Sequence, residues 1–319
     1  MPPDAPARTS QRPSQPAGIA FAAGAYLLWG FLPLYFLLLA PTGPWEVVAW
    51  RVLLSFVFCV ILLTVTGGWK AFGVIVRRPT LLGLTALAGL LIYVNWQVFL
   101  IGTLSGNVVE TSLGYFINPI ATVILGVLVL KERLRRLQWA AITIAAVAVI
   151  VIVALYGKFP WIALSLTASF AVYGLIKKQI GSAVDAISGL TLESFWLIPI
   201  AVVQLILVAT TPEGITMGQH GAVHTILLLS VGIATAVPLL LFAAGARRAD
   251  LSVVGMLQFI APILQFIVGV FVLQESMPPA RWIGFILIWI AVLVFVIDLA
   301  RSARRRTPLS IRDRTVSHR

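Results

Sequence analysis

Charged residues are scarce in this sequence: Asp, Glu, Lys and Arg make up only 11% of its 319 residues, whereas hydrophobic residues make up 60%. A soluble globular domain carries about 25% charged residues, so this composition excludes one. Most of the protein surface must therefore face lipid. Acidic residues are scarcer than basic ones, 11 against 23, which leaves a formal net charge of +12.

Several chemical motifs are absent as well. The single cysteine, Cys59, excludes an internal disulfide and a cysteine metal cluster. We find no glycine-rich phosphate loop, no nucleophile motif and no clustered carboxylates, so we predict neither an enzyme nor a bound cofactor. His220 and His224 have the spacing of a helical metal pair, but only Glu213 lies near enough to be a third ligand, so we predict no metal site.

Ten apolar runs are each long enough to cross a bilayer, which needs about 20 helical residues. Unpaired backbone groups are too costly in lipid, and the alternating pattern of a β-barrel is absent. We therefore predict an all-α polytopic membrane protein of ten transmembrane helices. The predicted spans are 18–40, 45–66, 79–101, 106–130, 137–156, 159–176, 186–209, 221–244, 251–273 and 280–300.

The basic residues are concentrated in alternate connections between these spans. If the N-terminus is cytoplasmic, only Lys158 and Arg281 fall outside and Arg51 within a span, and every other Lys and Arg is cytoplasmic. The positive-inside rule then predicts that both termini lie in the cytoplasm. We interpret residues 1–17 as a disordered leader, and the basic tail 301–319 as a partner of membrane lipid rather than of nucleic acid.

The sequence also contains an internal repeat, in which a residue matches the residue 143 positions later without a gap. Because each half holds five spans, an odd number, the second half must enter the membrane from the opposite side. We predict two inverted five-helix repeats, at 18–156 and 159–300, an architecture typical of alternating-access transporters. The matches include Phe99 with Phe242, Gly102 with Gly245, Phe116 with Phe259, Pro119 with Pro262, Gly126 with Gly269, Glu132 with Glu275 and Trp139 with Trp282.

Specific motifs identify a family. Residues 112–119 read Ser-Leu-Gly-Tyr-Phe-Ile-Asn-Pro, and Lys-Glu-Arg at 131–133 and Arg-Arg-Leu-Gln-Trp at 135–139 follow. With Trp29-Gly30 and Asn95-Trp96, these make the chain resemble the RarD family of EamA-type drug/metabolite transporters over about residues 25–298. The resemblance implies an inner-membrane location, ten helices, transport, and a link to chloramphenicol resistance or sensitivity. In many members a Lys and a His stand where this chain has Leu37 and Trp50. If the Lys binds an anionic substrate in those members, that contact is missing here.

Ionisable residues inside spans are expensive and therefore informative. Arg51 and Glu193 lie at comparable depths in their spans, and Glu46 and Glu110 lie close enough along the axis to pair with Arg51. We hypothesise that Arg51 binds an anionic or polar substrate group while Glu193 or Glu110 exchanges a proton. The alternative is a structural ion pair of Arg51 with one of the acids, whereas Glu193 has no evident cation at its depth.

Uncharged polar and aromatic residues at mid-span form a second set of candidates. Such side chains either bind across helices or line a substrate cavity. Tyr115 and Asn118 match Gln258 and Ala261 in the repeat, so the two halves place different chemistry at one locus. The prolines matched in the repeat remove a backbone donor and are predicted hinges. The substrate candidates are Asn95, Trp96, Tyr115, Asn118, Gln258 and Gln265, and the hinges are Pro119 and Pro262.

Together these features predict a secondary active transporter, or permease, that exports a small organic metabolite or drug. Its predicted partners are the small-molecule substrate, membrane lipid and protons as the coupling ion. An amino-acid or metabolite exchanger remains an alternative, and an intramembrane lipid-modifying enzyme is the rival from another class. The sequence leaves open the substrate, the direction of transport and whether the protein forms a homodimer.

Overall fold

The computed structural model describes residues 15–130, 134–181, 183–246, 248–249 and 251–305, and every regular element among them is a helix. Parts of the predicted leader (1–14), of the family motif (131–133) and of the basic tail (306–319) lie outside the described residues. The helices are α1 (Gln15–Leu37), α2 (Pro44–Val65), α3 (Trp69–Val76), α4 (Pro79–Leu104), α5 (Val108–Leu130), α6 (Arg136–Tyr156), α7 (Trp161–Ile180), α8 (Ala186–Ala209), α9 (Gly221–Leu229), α10 (Val231–Ala246), α11 (Leu251–Leu257), α12 (Ile260–Ile267), which continues into a π-helical turn (Val268–Val272), and α13 (Pro279–Arg305).

Nine helical segments in this part of the chain are long and apolar enough to cross a bilayer, so the protein is a multi-pass membrane protein. They coincide with nine of the ten predicted spans. The remaining span, predicted at 159–176, corresponds to α7, whose 20 residues would extend about 30 Å. Its last turn contains Lys177 and Lys178, which make it less apolar than the others. The tenth crossing stays a prediction.

The helices differ from the predicted spans in several places. Helix α1 begins at Gln15, so the last residues of the predicted leader are helical. Helix α3 was not predicted, because its eight residues are too few to cross a bilayer. The predicted eighth span is interrupted at Ser230, between α9 and α10. Helix α13 extends to Arg305, beyond the predicted end at residue 300.

The predicted ninth span is interrupted too, four residues before Pro262. A proline lacks the amide N–H, and its ring clashes with the carbonyl group four residues earlier, which here belongs to Gln258. Helix α11 ends at Leu257 and α12 begins at Ile260, so the interruption falls where the proline requires it. Pro119, its partner in the repeat, lies inside α5, which is helical without interruption.

The packing of the helices is nearly unchanged when the two halves are interchanged. Helices α4 and α5 pack against α7, and their counterparts α10 and α12 pack against α1. Likewise α4 packs against α8, and α10 packs against α2. The pairs α2 with α8, α5 with α12 and α6 with α13 map onto themselves. Two related halves are expected to give such equivalent pairs of helix contacts.

Two glycines matched in the repeat occupy equivalent helix crossings. A Cβ atom on Gly102 of α4 would lie 2.6 Å from Thr111 Cγ2 and 3.1 Å from Ile162 Cγ2, the latter on α7. A Cβ atom on Gly245 of α10 would lie 2.7 Å from the backbone nitrogen of Ala22 on α1. In each half, glycine therefore lets one helix approach the first helix of the other half.

Candidate functional site

Arg51 lies on α2 with its side chain directed into the protein, and only 4% of the residue is exposed. Its guanidinium carbon is 4.2 Å from the ring centroid of Trp96 on α4 and 5.6 Å from that of Phe36 on α1. Tyr35 and Tyr115 lie close enough to interact with it electrostatically. We call these five residues the arginine box. Attraction to the ring faces stabilises a desolvated guanidinium by about 2 kcal/mol.

The guanidinium of Arg51 retains free hydrogen-bonding capacity. Its Nε and Nη1 atoms are buried and have no hydrogen-bond partner in the described part of the chain. A guanidinium has five N–H donors and keeps its proton in proteins, so these donors cannot be removed by titration. Leaving buried donors unbonded costs free energy, and a ligand that accepts from them recovers that cost. The box is therefore suited to an anionic or electronegative group.

Neither Glu46 nor Glu110 pairs with Arg51, so the alternative of a structural ion pair between Arg51 and one of these acids is wrong. Glu46 lies five residues earlier on α2, about 140° away around the helix, and accepts hydrogen bonds from the backbone of Thr216 at 2.9 and 3.0 Å and of Met217 at 3.2 Å. Glu110 accepts from the backbone N–H of Ile162, at the start of α7, at 3.0 Å. Depth along a helix did not determine which way these side chains point.

Asn95 connects the box to α7. The Tyr115 hydroxyl donates to Asn95 Oδ1 at 3.1 Å, and Asn95 Nδ2 donates to the Leu166 carbonyl and to Ser169 Oγ, both at 3.1 Å. Asn95 is buried, and both ends of its amide are bonded within the protein. It therefore positions the Tyr115 hydroxyl and holds three helices together, while Trp96 beside it contacts Arg51 directly.

A series of aromatic rings leads from the box to Glu193. The ring centroids of Tyr115 and Phe170 are 6.0 Å apart, and those of Phe170 and Tyr173 are 5.9 Å apart. The Tyr173 hydroxyl then donates to Glu193 Oε2 at 3.1 Å. The two ionisable candidates, Arg51 and Glu193, are thus linked through contiguous side chains of α5, α7 and α8.

Glu193 forms a buried ion pair, which corrects the prediction that it has no cation nearby. Lys177 Nζ lies 2.6 Å from Glu193 Oε1, and the side chains are 30% and 1% exposed respectively. The predicted sixth span ended at residue 176, which placed Lys177 in the cytoplasm, whereas α7 continues to Ile180. The long Lys stem then lets the ammonium group reach the carboxylate.

The other candidates have different surroundings. Gln265 Nε2 donates to the Trp29 carbonyl at 3.1 Å, and this carbonyl has no helical partner because Pro33, four residues later, lacks an N–H. Gln258 lies at the interruption between α11 and α12, and Asn118 is buried with Oδ1 unbonded among the described residues. The described part of the chain contains no hydrogen bond between these three residues and the box.

One buried amide pair was not predicted. Gln204 Nε2 of α8 donates to Gln97 Oε1 of α4 at 2.9 Å, and both residues are buried. The signal was in the sequence, because both amides lie within predicted spans just as Asn95 does. The pair ties α4 to α8 on a different face of α4 from the one that meets α7.

The two histidines have no metal-binding geometry. His224 Nε2 lies 2.9 Å from Thr42 Oγ1 and 3.2 Å from the Leu39 carbonyl, whereas His220 is exposed. Among the described residues, no group of three or more His, Cys, Asp or Glu side chains could hold a metal ion. His224 instead ties α9 to the end of α1.

A charged cluster lies at the ends of α5, α7 and α13. Glu110, Lys158 and Arg281 line a cavity of about 20 Å³, which has room for a single water molecule and not for a substrate. Beside it, the Glu275 carboxylate accepts from the backbone N–H groups of Val108 and Val109 at the start of α5. Burial raises the pKa of Glu275, and these two hydrogen bonds oppose that shift. Glu275 therefore caps α5.

The chain matches a transporter family and relatives that are named RarD. Residues 16–154 match the EamA-like transporter family. The chain is 42% identical over 291 residues to Protein RarD of Streptomyces exfoliatus, with 91% of each chain covered. It is 29% identical over 293 residues to the chloramphenicol-sensitive protein RarD of Pseudomonas aeruginosa, with 91% of this chain and 96% of that one covered.

A solved structure has a similar fold. A protein crystal structure aligns with 90% of this chain and with 100% of its own chain, at a TM-score of 0.60 and 18% sequence identity. At this identity the likeness concerns the fold alone. It extends over both halves of the chain, whereas the family match is confined to the first.

Proposed function

Because the chain belongs to the RarD family of EamA-like transporters, we propose that it is a secondary active transporter that exports a small organic metabolite or drug. The observation that carries this proposal is Arg51, a buried cation that packs against the ring of Trp96 and has buried N–H donors with no hydrogen-bond partner among the described residues. A charge at the centre of a membrane helix costs about 2.5 to 3.5 kcal/mol on insertion scales. A binding role for Arg51 explains why that cost is tolerated.

The arginine box fits a flat, apolar solute that carries an anionic or electronegative group. Arg51 supplies N–H donors for carboxylate-like oxygens, and the rings of Trp96 and Phe36 can stack on a planar body. The Tyr115 hydroxyl, which donates to Asn95, can accept a hydrogen bond from the solute as a second polar contact. Chloramphenicol has a nitro group on an aromatic ring, and the name of the Pseudomonas aeruginosa relative refers to it. It is therefore the first solute to test.

Alternating access follows from ten helices arranged as two inverted repeats, 18–156 and 159–300. The interchangeable packing of the halves supports this arrangement, as do the equivalent crossings at Gly102 and Gly245. Two related halves of near-equal packing can exchange inward-open and outward-open forms around a central site. The interruption before Pro262 supplies a joint in the second half at which such a movement can occur.

Coupling to the proton gradient is assigned to Glu193 rather than to Glu110. A proton on Glu193 would remove its ion pair with Lys177, whose side chain is 30% exposed and so gives access to water. The loss of charge would weaken the hydrogen bond that Tyr173 donates to the same carboxylate. A resulting shift of Tyr173 would pass through the ring contacts of Phe170 to Tyr115 of the arginine box. Glu110 is instead bonded to the start of α7.

Transport into proteoliposomes tests the role of Arg51. We expect the purified protein to accumulate labelled chloramphenicol or an aromatic carboxylate against its gradient when a pH gradient is imposed. Arg51→Gln should lower uptake at least about ten-fold, since it removes a charge-assisted hydrogen bond, and Arg51→Lys should retain part of it. Gln97→Leu is the matched control, because it removes a buried polar group outside the box. Full uptake by Arg51→Gln would refute the binding role.

The same vesicles test coupling. We expect Glu193→Gln to keep downhill exchange of labelled for unlabelled solute while losing accumulation driven by the pH gradient, because the amide cannot exchange a proton. Gradient-driven accumulation at the wild-type level would eliminate Glu193 as the coupling residue. Exchange without any response to pH in the wild-type protein would instead indicate an amino-acid or metabolite exchanger.

A further inference from the structure

An apolar groove lies beside α3, away from the arginine box. It has a volume of about 430 Å³ between α2, α3, α4 and α8. The indole N–H of Trp69 donates to Thr64 Oγ1 at 3.2 Å, and the Thr191 hydroxyl donates to the Ile187 carbonyl at 2.7 Å, so both polar groups are already bonded. The walls therefore suit a hydrocarbon chain. Their aromatic members are Phe56, Trp69, Phe72, Phe195 and Trp196.

Helix α3, which forms one wall, has the properties of a helix at the lipid–water interface. It is eight residues long, and Ile75 is its one buried residue. Trp69 and Val74 are 45% and 55% exposed, so its apolar side chains must be covered by lipid. A tryptophan at the end of such a helix is typical of the interfacial region.

Three cations flank this helix, adjacent in sequence to the groove residues Trp69 and Val76. Lys70 lies in its first turn, Arg77 at its C-terminal cap and Arg78 at the start of α4, and all three are exposed. The sequence has no Asp or Glu between Glu46 and Glu110. None of the three cations forms a salt bridge within the described residues. A concentrated positive charge thus adjoins an apolar groove that opens to lipid.

We propose that the groove binds an acyl chain of an anionic phospholipid, whose headgroup phosphate pairs with Lys70, Arg77 and Arg78. Charge complementarity selects this occupant, because each basic residue near a membrane contributes on the order of a five-fold preference for anionic lipid. A zwitterionic lipid would fill the groove equally well and would lose most of this preference. The proposal does not depend on which solute Arg51 binds.

Native mass spectrometry of the full chain in detergent tests the proposal. The protein is supplied with phosphatidylglycerol and phosphatidylcholine that carry the same acyl chains, and the lipid retained is counted. We expect at least about ten-fold more phosphatidylglycerol than phosphatidylcholine to be retained. The triple variant Lys70→Gln, Arg77→Gln, Arg78→Gln should bring this ratio close to one. The matched control Lys70→Arg, Arg77→Lys, Arg78→Lys keeps the three positive charges and should leave the ratio unchanged.

A second variant tests the groove separately from the charges. Val60→Trp places a large side chain in the groove and should lower retention of both lipids at least about three-fold, with the ratio between them preserved, because Lys70, Arg77 and Arg78 remain. Equal retention of the two lipids by the wild-type protein would overturn the proposal. So would an equal loss of preference in the control triple variant, or full retention by Val60→Trp. Displacement of phosphatidylglycerol by chloramphenicol would show that the groove serves the transported solute instead.

Discussion

At the scale of the residue, buried polar groups in this protein fall into two classes. Glu46, Glu110, Glu275 and Gln265 each bond to the backbone of a different helix or loop. The groups that they bond lie in a loop, at a helix start or opposite a proline, where a helical partner is missing. Arg51 has buried N–H groups with no such bond in the described part of the chain. The first class holds the fold together, and the second is the one that we propose binds the substrate.

Gln265 provides a test of the first class. We expect Gln265→Leu to lower the free energy of unfolding by about 1 kcal/mol, since the Trp29 carbonyl loses its donor. Pro33→Ala restores an amide N–H four residues after Trp29, so Gln265→Leu should cost less than half as much in that background. The measurement is unfolding in mixed detergent micelles for the four proteins of this double-mutant cycle. An equal cost in both backgrounds would refute the assignment.

At the scale of the element, close helix crossings are set by glycine and helix interruptions by proline. The obstacle at Gly245 is backbone, the nitrogen of Ala22 at 2.7 Å and the carbonyl oxygen of Gly18 at 2.9 Å. The obstacles at Gly102 are the side-chain methyl groups of Thr111 and Ile162. Side chains can change rotamer, whereas the backbone of a packed helix cannot move independently. The two crossings should therefore tolerate an added methyl group differently.

Three alanine substitutions test this difference. We expect Gly245→Ala to lower the melting temperature in detergent most, by an amount that corresponds to about 2 kcal/mol or more, and Gly102→Ala to lower it less. Gly174→Ala on α7 meets nothing within 4 Å and should raise stability by about 0.5 to 1 kcal/mol, because alanine has the higher helix propensity. A Gly245→Ala protein as stable as the wild type would contradict the packing argument.

At the scale of the whole molecule, α7 determines the topology. If α7 crosses the membrane, the chain has ten crossings, its halves are inverted, and both termini are cytoplasmic in agreement with the charge distribution. If α7 does not cross, the two termini lie on opposite sides. Helix α7 packs against both α4 and α5, as a helix inside the bundle would. Its Lys177 forms the ion pair with Glu193, and its Tyr173 donates a hydrogen bond to the same carboxylate.

Cysteine labelling decides between these topologies. Cys59 is the one cysteine in the chain, so Cys59→Ala gives a background without thiols. We expect a membrane-impermeant maleimide to label Lys158→Cys in intact cells and Gly181→Cys only after the membrane is permeabilised, because the two positions flank α7. Labelling of both from the same side would exclude the tenth crossing and the inverted repeat.

The sequence alone was sufficient for the class of protein and its family. Scarce charge and long apolar runs require lipid as the solvent, and these features are averages over about 20 residues that no single contact can alter. The motifs at 112–119 and 135–139 predicted the RarD family, which comparison with known proteins confirms. Arg51 was also predicted as a site residue, because any ionisable group inside a span stands out against its surroundings.

Only the tertiary structure decided the partners of those residues. Sequence gives the depth of a side chain along its helix but neither its direction around the axis nor the identity of its neighbour. For this reason the sequence did not predict that Glu46 accepts hydrogen bonds from Thr216 or that Glu193 pairs with Lys177. The residues of the arginine box come from α1, α2, α4 and α5, so the box exists only once these helices are packed.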